Sequence, residues 1–144
     1  MPFAGLQKVT ANQLNGLITG VYYAIGSADL NGAATNADVP GVTVDVTTAT
    51  TGATYAAFCT WAVDLTGNVT TEGLGRLSVD GSLQSPLVRW GQALTTDRLM
   101  QTQTYSGQLG SPDTYTFKIV ASPPASHTIQ GANSSILVLI FEAV

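Results

Sequence analysis

Apolar and polar residues alternate along most of this chain with a period of two, in short runs broken by Gly, Pro, Asn and Asp. That spacing belongs to strands with one dry face and predicts an all-β protein. Val21 to Ile25 reads as a first strand, and Gly26-Ser27 with Asp29 to Gly32 as the loop after it. Gly41 to Thr47 alternates Val42, Val44 and Val46 with polar residues. Ala53 to Leu65 is the longest candidate: Tyr55, Ala57, Cys59, Trp61, Val63 and Leu65 form its better core face, with Ala56, Phe58, Thr60, Ala62 and Asp64 opposite. Leu74 to Val79 runs into Asp80-Gly81, a dipeptide that accepts the positive φ of a tight hairpin. Leu87 to Trp90 and Asp97 to Ser106 follow, and Tyr115, Phe117, Ile119 and Ala121 line one face of a further strand. The count is about eight or nine antiparallel strands at sandwich spacing.

The final stretch, Ser135 to Val144, breaks the alternation. Ile136, Val138 and Ile140 point one way and Leu137, Leu139 and Phe141 the other, so both faces are apolar. Such a run is expected to be covered on both sides, in the middle of a sandwich core or at a subunit interface. Glu142 is the one charge there. An unpaired buried carboxylate is costly, so it either meets a partner such as an arginine of a neighbouring subunit or has already emerged from the core.

Residues 1–19 differ from everything after them. Thr10 with Gln13 three places on forms a capping-box pattern, and Leu14, Leu17 and Ile18 lie on one side of two short turns. A helix this short needs a surface to dock on. The segment is read as an anchoring arm, gripping through Phe3, Leu6, Leu14, Leu17 and Ile18, ahead of a sandwich domain over residues 20–144.

Composition narrows the function classes. Charged residues make up 10% of the chain, well below the ordinary quarter, so much of the surface is neutral-polar or buried against other molecules. A formal charge of −4 with only five scattered cations, Lys8, Arg76, Arg89, Arg98 and Lys118, argues against a nucleic-acid groove. No apolar run reaches the ~20 residues of a membrane helix. The first residues lack a basic start followed by an apolar core, so no secretion signal is expected and the chain is expected to fold in a cytoplasm. The lone Cys59 forms no internal disulfide and reads as a buried, inert thiol.

Catalytic chemistry is not legible. His127 is the single histidine, and with Cys59 it falls short of an ordinary metal-ligand set. No Gly-x-Ser-x-Gly elbow surrounds a serine, and the carboxylates are dispersed. Asp29 and Asn31 are a weak calcium-loop signal. No catalytic, cofactor-binding or metal residue is therefore assigned. Trp61 reads as core, while Trp90 and Tyr105 are the aromatics that would contact a glycan if both were exposed on one patch.

The long strand opened by Thr54-Tyr55, the Leu77-Ser78-Val79-Asp80-Gly81 hairpin, the Asp113 to Lys118 strand and the apolar terminal strand together resemble a jelly-roll domain of the tumour-necrosis-factor and complement-head type, as found in small virion proteins of tailed phages. Lys8-Val9-Thr10-Ala11-Asn12-Gln13-Leu14-Asn15 is similar to the V-T-A-x-x-L-N start of many phage tail and virion-surface proteins. The resemblance implies a jelly-roll β-sandwich in a homotrimer. Its terminal strand, through Ile136 to Glu142, would lie near the threefold axis. It also implies attachment to a major capsid or tail protein on the virion surface, and no catalytic residues. The chain has no long fibre shaft, so a tail-tip role would need a separate shaft protein. The expected function is a non-enzymatic structural subunit, a head decoration or minor tail knob; the alternative is a carbohydrate-binding, receptor-recognising adhesion module.

Overall fold

The computed structural model describes residues 18–67, 71–91 and 98–142. They form strands β1 (Gly20–Ile25), β2 (Leu30–Asn31), β3 (Ala37–Thr47), β4 (Thr54–Leu65), β5 (Gly73–Val79), β6 (Ser82–Leu83), β7 (Val88–Trp90), β8 (Arg98–Gln108), β9 (Thr114–Ser122), β10 (His127–Ile129) and β11 (Ser135–Phe141), with one 3-10 turn at Gly131–Asn133. The expected arm helix falls outside the described residues except for Ile18, which is half-buried ahead of β1.

The strands form two antiparallel sheets. In the first, β4 is the spine: β8 pairs with it from Thr54 to Asp64 on one edge. Its other edge is shared by β11, over Thr54 to Thr60, and β10, over Val63 to Leu65. β1 lies outside β11, and β2 outside β10. The second sheet runs β3-β9-β5, with β6 and β7 on the far side of β5. Set aside the short β2, β6 and β10, and number the other eight strands in chain order. The first sheet then reads first, eighth, third, sixth, and the second reads second, seventh, fourth, fifth. That is the strand order of a jelly roll.

Period two explains the packing. Val42, Val44 and Val46 of β3 face inward and their neighbours face water, as the alternation requires. All six residues of the expected β4 core face are buried, and the Phe117 ring meets Tyr55 edge-on at 4.9 Å between centroids. Asp80 and Gly81 take φ of 48° and 79°, so the chain reverses at the expected dipeptide and returns as β6.

Trp61 fills the middle of the core, where its indole Nε1–H donates to the Val120 carbonyl at 3.1 Å. A buried indole needs such a partner. Room for the ring comes from Gly75 on β5: a Cβ there would stand 2.8 Å from both Trp61 Cε2 and Val88 Cγ1. Gly75→Ala should therefore lower the unfolding free energy by about 1–3 kcal/mol, the usual cost of overpacking a core. An unchanged urea midpoint would show that the indole has slack this packing does not reveal.

Candidate docking face

The outer face of the first sheet is built by register. Three rows cross it from β1 through β11 and β4 to β8: Val21-Leu139-Ala56-Ser106, Tyr23-Leu137-Phe58-Thr104 and Ile25-Ser135-Thr60-Thr102. No ionisable group other than the Tyr23 phenol stands in these rows. The nearest ion pair, Asp64 with Arg98 at 3.8 Å, closes one end of β4 and β8.

Exposure on this face is lopsided. Val21, Tyr23, Ile25, Phe58 and Met100 are exposed by 65, 62, 49, 45 and 60%, and they make up five of the six exposed large hydrophobics among the described residues. Leu137, Leu139 and Phe141 sit half-buried between them. The β1 and β11 half is thus aliphatic and aromatic, while the β8 half carries Thr102, Thr104 and Ser106.

The terminal strand is divided between two environments. Ile136, Val138 and Ile140, expected at a subunit interface, are fully buried in the chain's own core. A two-layer sandwich has only one dry side per strand, so Leu137, Leu139 and Phe141 are left on the outer face, half-buried. Glu142 has an unforeseen role. Its Oε1 accepts from the backbone N–H groups of Ala49 at 2.6 Å and Thr50 at 2.9 Å, pinning the β3–β4 loop to the end of β11. Those donors, Thr50 first, hold its carboxyl below the usual range. Two successive amides pointing at one spot are a property of loop shape, which residue order alone does not display.

The glycan-contact expectation fails at both aromatics. Trp90 is 2% and Tyr105 3% exposed, so neither ring can stack on a sugar. Trp90 turns inward on β7 and its Nε1–H donates to His127 Nδ1 at 3.0 Å. His127 is buried on β10, and its Nε2 has no hydrogen-bond partner. Burial pushes the imidazole pKa down. Tyr105 packs inward from β8, with burial raising its phenol to about 12. Cys59 is likewise buried, and its thiol is pushed up to about 12, far from a reactive thiolate. Asp29 and Asn31 are engaged within the fold, accepting from the Gly131 N–H at 2.9 Å and the Thr128 hydroxyl at 3.1 Å. Among the described residues no three His, Cys, Asp or Glu side chains gather as a metal site. The expected grips Phe3, Leu6, Leu14 and Leu17 lie outside the described residues.

No protein-family profile and no curated protein sequence matches this chain. Solved structures similar to it include dimeric latent PorU from Porphyromonas gingivalis, at 11% identity and a TM-score of 0.57, over 85% of this chain and 12% of that one. The chain thus spans a small part of PorU's length, and the likeness is one of fold. Two others are a family 35 carbohydrate-binding module from Clostridium thermocellum and the sugar-binding C-terminal domain of EclA. The first has 16% identity, a TM-score of 0.38 and coverage of 85% and 91%; the second has 15%, 0.41, and 96% and 99%.

The His127–Trp90 bond makes stability depend on pH. Nδ1 can accept only while it is unprotonated, so the folded state holds the neutral ring and its pKa lies below the unfolded value of about 6.5. Stability should therefore be level above about pH 6.5 and fall as pH drops toward the folded pKa, by at most about 1.4 kcal/mol per pH unit. Urea unfolding followed by tryptophan emission between pH 7.5 and 5 reads this directly. In His127→Asn, whose amide oxygen can still accept from Trp90, that portion of the slope should vanish.

Proposed function

We propose that this protein is a non-catalytic assembly module whose outer sheet face seats further copies of the same chain in a homotrimer. Following the resemblance carried by its sequence, the trimer would be mounted on a capsid or tail of a phage particle. The supporting observation is that five of the six exposed large hydrophobics among the described residues cluster on one face, whose charges are confined to the Asp64–Arg98 pair at one end. Scattered surface apolar residues need no explanation, whereas a contiguous patch of them marks an interaction site. A face so poor in charge suits a partner equally poor in charge, and this chain, at 10% charged residues, is such a partner. A copy that docks a different surface onto this face makes a head-to-tail contact, which closes into a ring when the rotation allows.

A second reading, a sugar-binding module, is favoured by Tyr23 and Phe58. Their rings share one row, two strands and roughly 10 Å apart, as a pair of stacking platforms would be. The aliphatic neighbours Val21, Ile25, Leu137 and Leu139 offer a sugar no hydrogen bonds, which favours a protein partner.

Light scattering behind a sizing column tests the assembly. The expected mass is three times 14.9 kDa or a multiple of it, and Tyr23→Asp with Phe58→Asp should remove the factor of three while the β-sheet circular dichroism is kept. A wild-type chain that remains monomeric at high concentration, with Tyr23 and Phe58 resonances shifted by a glycan titration, would replace this reading with the sugar-binding one.

A further inference from the structure

A second unsatisfied surface lies in the plane of the first sheet, along the free edge of β8. The Leu109 N–H donates to the Ala53 carbonyl at 2.7 Å, which fixes the parity of the ladder: odd-numbered residues of β8 turn their backbone groups to β4. Arg98, Met100, Thr102, Thr104, Ser106 and Gln108 therefore turn theirs outward. Among the described residues only the Thr104 carbonyl is occupied, accepting from Gln103 Nε2 at 2.9 Å. No strand covers this edge among the described residues. It spans eleven residues, roughly 36 Å of extended backbone.

Open strand edges invite pairing, and proteins usually blunt them with proline, bulges, charges or shortness. The other edges of this sandwich are treated that way. β3 carries Pro40, a register break between Asp38 and Thr43, and the carboxylates Asp38 and Asp45. β6 and β7 have two and three residues. β1 packs against β3, with the Ser27 N–H just beyond it donating to the Pro40 carbonyl at 2.9 Å. β8 has none of these devices: from Leu99 to Gln108 it has no charge, no proline and no register break.

We propose that the β8 edge pairs with the β8 edge of a second copy, antiparallel about a two-fold axis at Gln103. This register is self-complementary. It sets Thr102 opposite Thr104, Met100 opposite Ser106 and Arg98 opposite Gln108, all from the outward-turned set. Threonine pairs are favourable across strands, and no like charges oppose one another. The occupant is a second copy because the edge is neutral along its length and matches its own reverse, while an acidic or basic strand would find no counter-charge beyond Arg98, which is already beside Asp64. The pairing uses backbone groups in the plane of the sheet and the docking face uses side chains on its surface, so the two are distinct contacts although Thr102, Thr104 and Ser106 border both.

Amide hydrogen exchange of the full chain at assembling concentration tests it, alongside the mass. Thr102, Thr104 and Ser106 amides should exchange at least about tenfold more slowly than in a sample diluted to dissociate the pair, while Gln103 and Tyr105 stay protected in both. Thr104→Pro removes an outward N–H that no bond among the described residues uses, so the fold should persist, the mass should halve, and Thr102 and Ser106 should lose protection. Tyr23→Asp with Phe58→Asp should leave that protection in place, which separates failure of the edge contact from failure of the face. Unprotected even-numbered amides in the concentrated wild-type chain would overturn the pairing. So would protection that survives dilution, because a segment of the same chain would then be covering the edge.

Discussion

The inward row of β4 is the contact on which the two sheets close. Tyr55, Ala57, Cys59, Trp61, Val63 and Leu65 are all buried, and β4 is hydrogen-bonded along both edges, to β8 on one and to β10 and β11 on the other. Trp61 ties this row to the opposite sheet through the Val120 carbonyl, over the space that Gly75 leaves. Each fully buried aliphatic side chain in such a row contributes about 1.5–3 kcal/mol. The position of every other strand follows from this spine: β11 and β10 divide one of its edges, and β8 takes the whole of the other.

The same geometry creates the surfaces that face outward. A strand in a two-layer sandwich can bury one side only, so apolar residues on the other side must be met by something else or remain in water. Val21, Tyr23, Ile25, Leu137, Leu139 and Phe58 are brought into adjacent rows by pairing among β1, β11 and β4, although they come from distant parts of the chain. Few charges stand anywhere near them, which is how a chain with 10% charged residues distributes its polarity: threonine, serine and glutamine toward solvent, and one face left apolar. The polar groups bonded within the chain are the complement of that face. Trp90, His127 and Glu142 all serve the fold's own hydrogen bonding, holding a short strand, an inner edge and a loop in place.

The residue order by itself determined the strands, because a period of two is a local property: the β3 and β4 core faces, the Asp80-Gly81 reversal and the inward face of β9 are where the alternation puts them. The apolar run from Ser135 to Val144 led to the expectation of cover on both sides, and within the chain only the side of Ile136, Val138 and Ile140 is buried. Which side the chain covers for itself was decided by tertiary structure, since Ile136 and Leu137 are indistinguishable in hydrophobicity and only the register against β4 sends one inward. Trp90 and Tyr105 went the same way: a tryptophan beside an arginine and a tyrosine among glutamines are undecided in sequence, and pairing of β7 with β5 and β8 with β4 turns both rings to the core. The exposed aromatics, Tyr23 and Phe58, sit 35 positions apart, and the Glu142 latch joins positions 92 and 93 apart. Local pattern fixes which way a side chain can point along its own strand, but its neighbours come from long-range strand pairing, and a surface is made of neighbours.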